Sequence, residues 1–518
     1  MTVSSPLAKS RADLPFAVSM SGICKRFGAV TANDHIDLNV LSGDIHGIVG
    51  ENGAGKSTLV SILYGFYTAD SGTTEIAGIS YTHNTPADSI AAGIGMVHQH
   101  FMLVPNFTVL ENIILGYEGY KQLSKSMDQA RHMLSSMSQQ YGLDVDLDAQ
   151  VGDLPVSLQQ RVEILKALYR DARILILDEP TGVLTPQETN QLFDILRALK
   201  KQGVTILLIT HKLREIMAAT DHVSVMRGGR MIAHLQTTDT TPDQLAELMV
   251  GRPVQVKKQW HKANKGAAIV SVKDVQLTRS KTQNLLSDIT FTVHAGEILG
   301  IAGVAGNGQS ELLNILAGII APTAGHISYH DHHIDAGNPA DPQKIKSLGV
   351  AHVPEDRHAS GIVLPFTAAE NAALGYEKEV SGGYGHAFLS PQSLRARCAK
   401  LMQRFDVRPA DPNLKSSLFS GGNQQKLVLA REMSDTPSVL LIGQPTRGVD
   451  IGAIEFIHQQ LIDMRDKGCA IILVSVELDE IMSLSDRIMV MNNGRIMGLV
   501  EQATANVKDI GLLMAGVQ

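Results

Sequence analysis

A glycine-rich segment that ends in a lysine and two hydroxyl residues is the part of this sequence best suited to chemistry. Residues 50–58 read GENGAGKST and fit the pattern G-x-x-x-x-G-K-[ST]. Glycines let backbone N–H groups curl around phosphate oxygens, and a helix that starts there adds a favourable dipole. In this pattern the lysine reaches the β- and γ-phosphates, the next hydroxyl binds Mg²⁺ and the last binds a phosphate. The segment therefore predicts a site for ATP and Mg²⁺ made of Gly50, Glu51, Asn52, Gly53, Ala54, Gly55, Lys56, Ser57 and Thr58.

An acidic pair follows the apolar run ILIL and could supply the matching chemistry. Asp178, at a predicted strand end, could hold Mg²⁺ through its water shell, and Glu179 could polarise an attacking water as a general base. An Asp-Glu pair after an apolar run is common and is usually a helix cap or a solvated pair. Its position downstream of a phosphate loop favours the catalytic interpretation.

Three single side chains complete the predicted first site. Gln99, in MVHQH, ends a strand-like segment, and its amide could bind both Mg²⁺ and the attacking water. His211, in ITHK, follows a buried apolar run and could contact the γ-phosphate. Phe27, in KRFGAV, could stack on adenine, although a core position explains it equally well. A lone His or Gln after a strand is usually structural, but the order of these residues along the chain favours a nucleotide site.

Short β-branched runs alternate with helical patterns and would position these side chains. The segments 43–50, 172–178 and 204–210 are bounded by turn residues and predict buried parallel strands. The segments 56–66 and 157–170 have helical spacing. The chain is therefore α/β with a mainly parallel sheet. A glycine turn that only caps a helix is the alternative for the phosphate loop, and the strand before it and Lys-Ser after it disfavour that alternative.

The sequence also repeats itself, which predicts a domain duplication. LDEPTGVL matches IGQPTRGV, and ITHKLREIM matches VSVELDEIM in the second half. The polar, basic stretch between the copies has neither helical nor strand periodicity and predicts a linker. Each copy is near the upper size of one hydrophobic core, so we expect a subdivision within it. The predicted parts are an N-terminal extension 1–17, a first domain 18–251, a linker 252–267 and a second domain 268–518.

The ordered set of phosphate loop, glutamine segment, acidic pair and histidine resembles the ATP-binding cassette family over nearly the whole chain. The segment FSGGNQQK (419–426) resembles the signature of that family almost letter for letter. The resemblance implies two tandem P-loop NTPase domains, each a RecA-like core with a helical subdomain, that face each other head to tail. It also implies that the signature contacts the nucleotide of the opposite cassette through Ser420, Gly421, Gly422 and Gln424.

The second copy has lost most of the residues that carry charge. Its loop GVAGNGQSE keeps the glycine turn and can still bind nucleotide more weakly, but Gln309 replaces the lysine. The acidic pair has become Gly443 and Gln444, which offer neither a Mg²⁺ carboxylate nor a general base. Glu355, in HVPEDR, stands opposite Gln99.

The first-half signature segment has also lost the residues that the family motif requires. The first-half segment LPVSLQQR has Pro155 where the hydroxyl is expected and Ser157 where a glycine is expected. Because a signature serves the opposite cassette, we predict one hydrolytic composite site, the first loop with the second signature, and one degenerate site. The alternative is that the second site hydrolyses ATP with unusual residues. The predicted degenerate site comprises Pro155, Ser157, Gly303, Gly306, Gly308, Gln309, Ser310, Glu355, Gly443, Gln444 and Val476.

Within the cassette family, VPEDR and SGGNQQK resemble the ATPases of ribose and galactose importers, and segments such as GVAGNGQSE resemble the nucleoside-importer branch. This resemblance implies ATP-driven import of a nucleoside, or of a sugar, through two membrane permease subunits with an external substrate-binding lipoprotein. It implies permease docking at the Gln99 and Glu355 loops, and a peripheral location on the cytoplasmic face of the inner membrane.

Composition disfavours other classes of protein. A net charge of −7 argues against nucleic acid as the main partner. The three cysteines lack metal-ligand spacing and fit a reducing compartment. The N-terminal segment has no signal-peptide core, and no run approaches the roughly 20 apolar residues of a membrane helix.

Two rival functions fit the sequence less well than import. A soluble tandem-cassette ATPase that acts on ribosomes would keep both catalytic pairs and join the cassettes by a longer, charged helical linker. A purely regulatory nucleotide-binding protein is disfavoured by the intact first site. The cluster His330, His332 and His333 invites a metal interpretation, but a solvated turn is the better prediction, and Met102 fits either the core or a permease groove.

Overall fold

The computed structural model describes most of the chain as two compact units, Met1–Val256 and Lys257–Gln518. The described residues are 16–28, 30–81, 85–98, 101–116, 123–182, 184–252, 264–280, 283–304, 306–377, 380, 389–434, 436–449 and 451–516. No helix in this part of the chain combines the length and the apolar character needed to cross a membrane.

The first unit alternates strands and helices, as its sequence pattern predicts. Its strands are β1 (Phe16–Phe27), β2 (Val30–Leu41), β3 (Ile45–Gly50), β4 (Ser71–Ile76), β5 (Ile79–Tyr81), β6 (Ile94–Val97), β7 (Ile174–Asp178), β8 (Thr205–Ile209), β9 (His222–Arg227) and β10 (Arg230–Gln236). Its helices are α1 (Lys56–Tyr64), α2 (Pro86–Ala91), α3 (Val109–Ile114), α4 (Leu123–Tyr141), α5 (Val156–Tyr169), α6 (Pro186–Lys201), α7 (Leu213–Ala219) and α8 (Pro242–Val250).

A six-stranded sheet of order β10-β9-β3-β8-β7-β6 positions the predicted site. Strands β9, β3, β8, β7 and β6 are parallel neighbours, so their carboxyl ends meet at one edge. The phosphate loop follows β3, the acidic pair follows β7 and His211 follows β8, so all three lie at that edge. The three predicted strands thus form, and each of their ends lies within two residues of the predicted end.

Burial explains why these strands are continuously apolar. Every residue of β3 and β8 is buried, because both faces of a parallel sheet are covered by helices or by a second sheet. Gly47 in β3 is needed for close packing, since a Cβ there would lie 2.6 Å from Ile216 Cδ1 of α7. A four-stranded antiparallel sheet, β2-β1-β4-β5, covers one side of the phosphate-loop region through a shared apolar core.

A separate group of helices forms the expected helical subdomain. Helices α3, α4 and α5 pack on one another, and their apolar faces share a core with α6 and with β7 and β8. Helix α3 begins with a capping box in which Thr108 and Glu111 satisfy each other's backbone N–H groups. The subdomain brings the start of α5, where the first signature segment lies, to its surface.

The second unit repeats this architecture. Its strands are β11 (Ala268–Ser280), β12 (Gln283–His294), β13 (Ile298–Ala302), β14 (Ala324–Tyr329), β15 (His332–Asp335), β16 (Val350–Val353), β17 (Val439–Gly443), β18 (Ala470–Val474), β19 (Arg487–Asn492) and β20 (Arg495–Glu501). Its helices are α9 (Gln309–Leu316), α10 (Pro342–Ser347), α11 (Ala368–Ala373), α12 (Pro391–Arg404), α13 (Gly421–Glu432), α14 (Ile451–Asp466), α15 (Leu478–Leu484) and α16 (Val507–Met514).

The strand orders of the two units correspond one to one. The second unit has the sheets β16-β17-β18-β13-β19-β20 and β12-β11-β14-β15, which match the first unit strand for strand. The predicted fold class, two tandem P-loop domains of α/β type, is therefore confirmed. Strand β11 starts at Ala268, and residues 253–263 of the predicted linker lie outside the described residues.

The histidine cluster of the second unit belongs to a β-hairpin. His330 turns the chain with φ 51°, while His332 and His333 lie on β15 and are exposed. His333 Nδ1 lies 2.7 Å from Ser328 Oγ across the hairpin. The prediction of a turn thus holds for His330 alone, because the polar residues beyond it continue as a paired edge strand.

Candidate functional site

The first phosphate loop is a tightly seated glycine turn at the start of α1. Gly53 and Gly55 have φ of 81° and 96°, a region that favours glycine, and Gly55 is the N-cap of the helix. A Cβ on Gly55 would lie 2.2 Å from the carbonyl oxygen of Ala32. A Cβ on Gly50 would lie 2.4 Å from that of Met226. The glycines are therefore required by the backbone path itself.

Lys56 lies buried inside this loop. Its Nζ donates to the carbonyl oxygens of Gly50 at 2.7 Å and of Glu51 at 3.0 Å. Burial lowers the pKa of Lys56, while the nearby carboxylates of Glu179 and Asp178 act in the opposite direction. Lys56 and the acidic pair thus interact electrostatically, as the motif predicts. Ser57, by contrast, is exposed at the first turn of α1.

Asn33 supports the loop and was not identified from the sequence. Its side chain is fully buried, and its Nδ2 donates to the carbonyl oxygen of Gly55 at 3.1 Å. Its Oδ1 is buried without a hydrogen-bond partner among the described residues. Asn33 lies on β2, far from the motif in sequence, so no local pattern indicates this contact.

The acidic pair turns sharply at the end of β7. Glu179 has φ 48°, and its N–H donates to the carbonyl oxygen of Ile209 at 2.9 Å. Positive φ at a non-glycine residue costs about 1–3 kcal/mol, so the neighbouring strand must hold this turn in place. Burial raises the pKa of Asp178 to about 6, with a further contribution from the Glu179 charge.

His211 contacts the predicted general base directly. Its Nδ1 lies 2.9 Å from Glu179 Oε1 and donates to that carboxylate. This hydrogen bond lowers the pKa of Glu179 against the opposing effect of burial. The structure therefore joins His211 to Glu179 through Nδ1, and the contact of His211 with the γ-phosphate stays a prediction. An ionised Glu179 held in one orientation can accept a proton from a water.

The remaining predicted residues of the first site are Phe27 and Gln99. Phe27 is 44% exposed, and its ring is 5.3 Å from that of Tyr67 in an edge-to-face arrangement. Lys25 Nζ lies 5.6 Å from the Phe27 ring centre. An exposed ring excludes the core interpretation and leaves a face for stacking. Gln99 lies outside the described residues.

The second unit keeps the same backbone turns with different side chains. Gly306 and Gly308 have φ of 87° and 99°, close to Gly53 and Gly55. Gln444 has φ 48°, and its N–H donates to the carbonyl oxygen of Val474 at 2.8 Å. The turn after β17 thus forms without the carboxylate that Glu179 has in the first unit. Gln444 Oε1 accepts from the N–H of Val476 at 3.3 Å.

Gln309 takes the place of the loop lysine. Its side chain is buried, and its Nε2 donates to the carbonyl oxygen of Val304 at 3.2 Å. Val304 corresponds to Glu51, so the amide makes one of the two contacts that Lys56 makes. A Cβ on Gly303 would lie 1.9 Å from Gln309 Nε2. The loop is preserved while its positive charge is lost.

Glu355 lies between the second loop and the end of β17. Ser310 Oγ donates to Glu355 Oε2 at 2.5 Å. A Cβ on Gly443 would lie 2.4 Å from Glu355 Cγ, so the Glu355 side chain fills the space beside this glycine. Burial raises the pKa of Glu355, and the hydrogen bond from Ser310 opposes this effect.

The second signature segment presents a hydroxyl at the start of α13. Ser420 is the exposed N-cap, does not cap its own helix, and accepts from Asn423 Nδ2 at 2.9 Å. A Cβ on Gly421 would lie 2.6 Å from a terminal nitrogen of Arg357, and Gly422 is more open. The guanidinium of Arg357, which sequence reasoning missed, therefore lies against the signature.

Gln424, which the sequence predicts as a nucleotide ligand, points into the interior of its own unit. It is buried, its Nε2 donates to the carbonyl oxygen of Ser416 at 2.9 Å, and its Oε1 lies 2.8 Å from His358 Nε2. Both ends of its amide are thus engaged within the unit. In this structure Gln424 holds the loop before the signature helix.

The first signature segment lacks such a hydroxyl. Pro155 is the N-cap of α5, which has no side-chain cap, and Val156 next to it is 40% exposed. Ser157 is half-buried in the first turn. Gln159 Nε2 donates to the carbonyl oxygen of Leu154 at 2.9 Å, which folds the segment onto itself.

The fold and the loop together define a duplicated P-loop nucleotide-binding protein. The profile of a family described as ABC transporter matches residues 33–182 and 286–447, one segment in each unit. Three relatives of known name align along almost the full chain. The nucleoside import ATP-binding protein NupA of Lactococcus lactis subsp. cremoris (strain MG1363) is 45% identical over 500 residues, 96% of this chain and 98% of that protein.

Two further relatives also align over nearly the full length of both chains. The guanosine import ATP-binding protein NupO of Bacillus subtilis (strain 168) is 44% identical over 97% of this chain and 98% of its own length. The ribose import ATP-binding protein RbsA of Lactococcus lactis subsp. cremoris (strain SK11) is 36% identical over 96% and 99%. The chain therefore belongs to the ABC transporter family, and it is an ATP-binding ATPase whose hydrolysis is coupled to transport.

A solved structure shares the tandem fold. An archaeal ribosome recycling factor, solved with a ribosomal stalk protein, superposes with a TM-score of 0.62 over 93% of this chain and 90% of that chain. Its sequence is 18% identical, so this likeness shows the fold alone.

Proposed function

We propose that this ATPase energises the import of a nucleoside, or of a related sugar, through a membrane permease, and that it hydrolyses ATP at one site. The observation that carries the single-site proposal is the hydrogen-bonded pair of Glu179 and His211 beside Lys56. At the matching positions the second unit has Gln444, Val476 and Gln309. An amide and an isopropyl group cannot accept a proton from water, so Gln444 and Val476 supply no general base at the positions of Glu179 and His211.

The residues of the first unit fit Mg²⁺-ATP and divide the work of hydrolysis. When bound, Mg²⁺ would neutralise negative charge on the phosphates. Lys56 and the loop N–H groups would bind the phosphates, and Ser57, Asp178 and Gln99 would hold the ion. Glu179 accepts a proton from the attacking water, while the Nδ1–H of His211 keeps its carboxylate ionised and oriented. Phe27 stacks on adenine.

We infer that the signature of each unit completes the site of the other. Ser420, Gly421 and Gly422 then face the phosphates bound at the first loop, where an exposed hydroxyl and helix N–H groups suit an anion. Pro155 and Ser157 face the second loop, which leaves that site without the signature hydroxyl. Gln424 is assigned the role of positioning this segment. The proposed cassettes span residues 18–251 and 268–518, with 252–267 as linker.

The proposed substrate rests on the named relatives. Two of them carry a nucleoside or guanosine in their names at 45% and 44% identity, and one carries ribose at 36%. We therefore favour a nucleoside over a free sugar. The proposal includes two permease subunits, an external substrate-binding lipoprotein and a location on the cytoplasmic face of the inner membrane.

Uptake in cells tests this function. The chromosomal copy is replaced by Glu179→Gln, a change that preserves side-chain size, and uptake of radiolabelled guanosine, cytidine, ribose and glucose is measured. We expect nucleoside uptake to fall to the level of a deletion strain, with sugar uptake unchanged. Loss of ribose uptake alone would show that the imported substrate is a sugar and not a nucleoside. Unchanged uptake of all four compounds would refute an import role.

A further inference from the structure

A thiol, a carboxylate and an imidazole lie together on the antiparallel sheet of the first unit. Cys24 belongs to β1, and Asp34 and His35 belong to β2. Their ligand atoms all lie within 4.8 Å of one another, and no other such group of three occurs among the described residues. Sequence spacing does not indicate this group, because two different strands supply its members.

A β-bulge brings these three side chains to one place. The register of β1 on β2 shifts between Ile23 and Lys25. Cys24 therefore stands opposite two residues of β2, Asp34 and His35. Successive side chains of a regular strand point to opposite faces of the sheet, whereas a bulge redirects one of them. Asp34 and His35 can thus both approach the Cys24 thiol although they are adjacent in sequence.

Neighbouring groups orient the three side chains. His35 Nδ1 lies 2.8 Å from Asp34 Oδ1, and the backbone N–H of His35 donates to Cys24 Sγ at 3.3 Å. Arg230 of β10 bonds the other carboxylate oxygen, Asp34 Oδ2, through Nε at 2.9 Å and Nη2 at 2.8 Å. Carboxylates that bind metal ions are held by outer hydrogen bonds in this way. Asp34 Oδ1 is thereby directed at the imidazole, and an ion in place of the proton between them would lie near the thiol.

The second unit has the same bulge without these ligands. Gln276 and Asp288 occupy the places of Cys24 and His35, and the register of β11 on β12 shifts there as well. Asp288 has φ 54°, close to the 52° of His35. Gln276 Nε2 donates to Asp288 Oδ1 at 2.8 Å and closes the bulge. The backbone shape therefore needs no metal ion, and the first unit differs by the side chains that it places on this shape.

We propose that Cys24, Asp34 and His35 form a binding site for Zn²⁺ or a similar thiophilic divalent ion. Thiolate, imidazole and carboxylate are all ligands of Zn²⁺, and three of them leave the fourth position of a tetrahedral ion to water. On binding, the thiol loses its proton to solvent and the imidazole keeps its proton on Nε2. The ion ties β1 to β2 and, through the bond between Asp34 and Arg230, strengthens the link to β10. The site uses none of the residues assigned to ATP, so it is independent of the proposed function.

Binding is measured on the full, untagged chain after metals are removed with a chelator and without nucleotide. Co²⁺ serves as the optical probe, because a cysteine ligand gives a sulfur-to-cobalt charge-transfer band, and Zn²⁺ is then added as a competitor. Equilibrium dialysis counts bound Zn²⁺. We expect about one ion per chain, a charge-transfer band that Zn²⁺ abolishes, and a higher melting temperature with Zn²⁺ than without it, because the ion binds the folded state.

Cys24→Ser and His35→Asn are the decisive variants. Serine removes the sulfur, and asparagine tolerates the positive φ of this position without supplying an imidazole. We expect each change to weaken Zn²⁺ binding by at least about 10–100-fold, the loss found when even the outer partners of metal ligands are removed. The charge-transfer band should disappear in Cys24→Ser.

His333→Asn is the matched control, since His333 is also an exposed histidine on a β-hairpin but lies in the second unit. It should leave the affinity for Zn²⁺ unchanged. Thermal unfolding of each metal-free variant verifies that the chain remains folded.

Two results would overturn the proposal. One is the absence of bound Zn²⁺ and of the charge-transfer band in the unaltered chain. The other is undiminished Zn²⁺ binding in either folded variant, which would place the ion elsewhere. Neither result bears on nucleotide hydrolysis or import, which the ATPase and uptake measurements test separately.

Discussion

Restoring the missing aspartate by Gly443→Asp should damage the second unit. A Cβ at this position would lie 2.4 Å from Glu355 Cγ, 2.9 Å from Leu313 Cδ2 and 3.0 Å from the Glu355 backbone nitrogen. The Glu355 side chain can move, but its backbone follows β16, which pairs with β17 at Val353 and Ile442. The new side chain therefore fits only if the backbone or the neighbouring side chains shift.

The size of the effect follows from these contacts. Overpacking of a filled interior costs about 1–3 kcal/mol, and a second carboxylate beside Glu355 adds repulsion to that cost. For a unit of this size, each kcal/mol lowers the melting temperature by about 2–4 °C. Gly443→Asn carries nearly the same packing cost without the charge, so the difference between the aspartate and asparagine variants measures the repulsion.

Differential scanning calorimetry of the intact chain is the assay, with a double-mutant cycle between Gly443→Asp and Glu355→Ala. We expect the double variant to be more stable than the sum of the single changes predicts, because removing Glu355 beyond Cβ removes the closest contact and the repulsion. The packing argument fails if Gly443→Asp leaves the transition unmoved, or if the two changes are additive.

Two further predictions concern the first unit. Burial lowers the pKa of His46 to about 3, whereas an unfolded histidine titrates near 6.5. Below pH 6.5 the unfolded chain therefore binds more protons than the folded chain. The free energy of unfolding decreases as the pH is lowered, by about 2 kcal/mol at pH 5. His46→Leu, which copies Leu299 of the second unit, should flatten urea unfolding midpoints between pH 7 and 5, and an unchanged slope would exclude His46 as the cause. Gly55→Ala should abolish nucleotide binding in calorimetric titration, since its Cβ would meet the Ala32 carbonyl at 2.2 Å. Gly53→Ala, with φ 81° and nothing within 4 Å, should bind with at most about tenfold loss. Equal losses in the two variants would show that φ alone matters.

Much of the site could be predicted because its parts are local motifs. The loop around Lys56 and the pair at Asp178 each combine a strand, a turn and a helix within a few residues, so sequence spacing alone determines their geometry. The signature at Ser420 is local in the same way. The duplication predicted from repeated segments also agrees with the matching strand orders of the two units.

Contacts between distant segments could not be predicted. Asn33 reaches Gly55 from β2, and Glu355 reaches Ser310 from β16, so neither contact leaves a pattern in the sequence. The contact of His211 Nδ1 with Glu179 depends on the register of β7 and β8, so the motif alone does not indicate it. The place of Gln424 in the motif predicts a nucleotide contact, whereas helix geometry turns its side chain into the unit.

The division of labour between the two units is tested most directly by ATP hydrolysis of Glu179→Gln and Gln444→Glu. The chain is assayed alone and with its permease subunits, and nucleotide binding is measured in parallel. Loss of a general base lowers the rate by about 10²–10⁴-fold. We expect Glu179→Gln to lose turnover on this scale while it still binds ATP, and Gln444→Glu to add little. Substantial hydrolysis by Glu179→Gln would show that the second site is active and would contradict the single-site account.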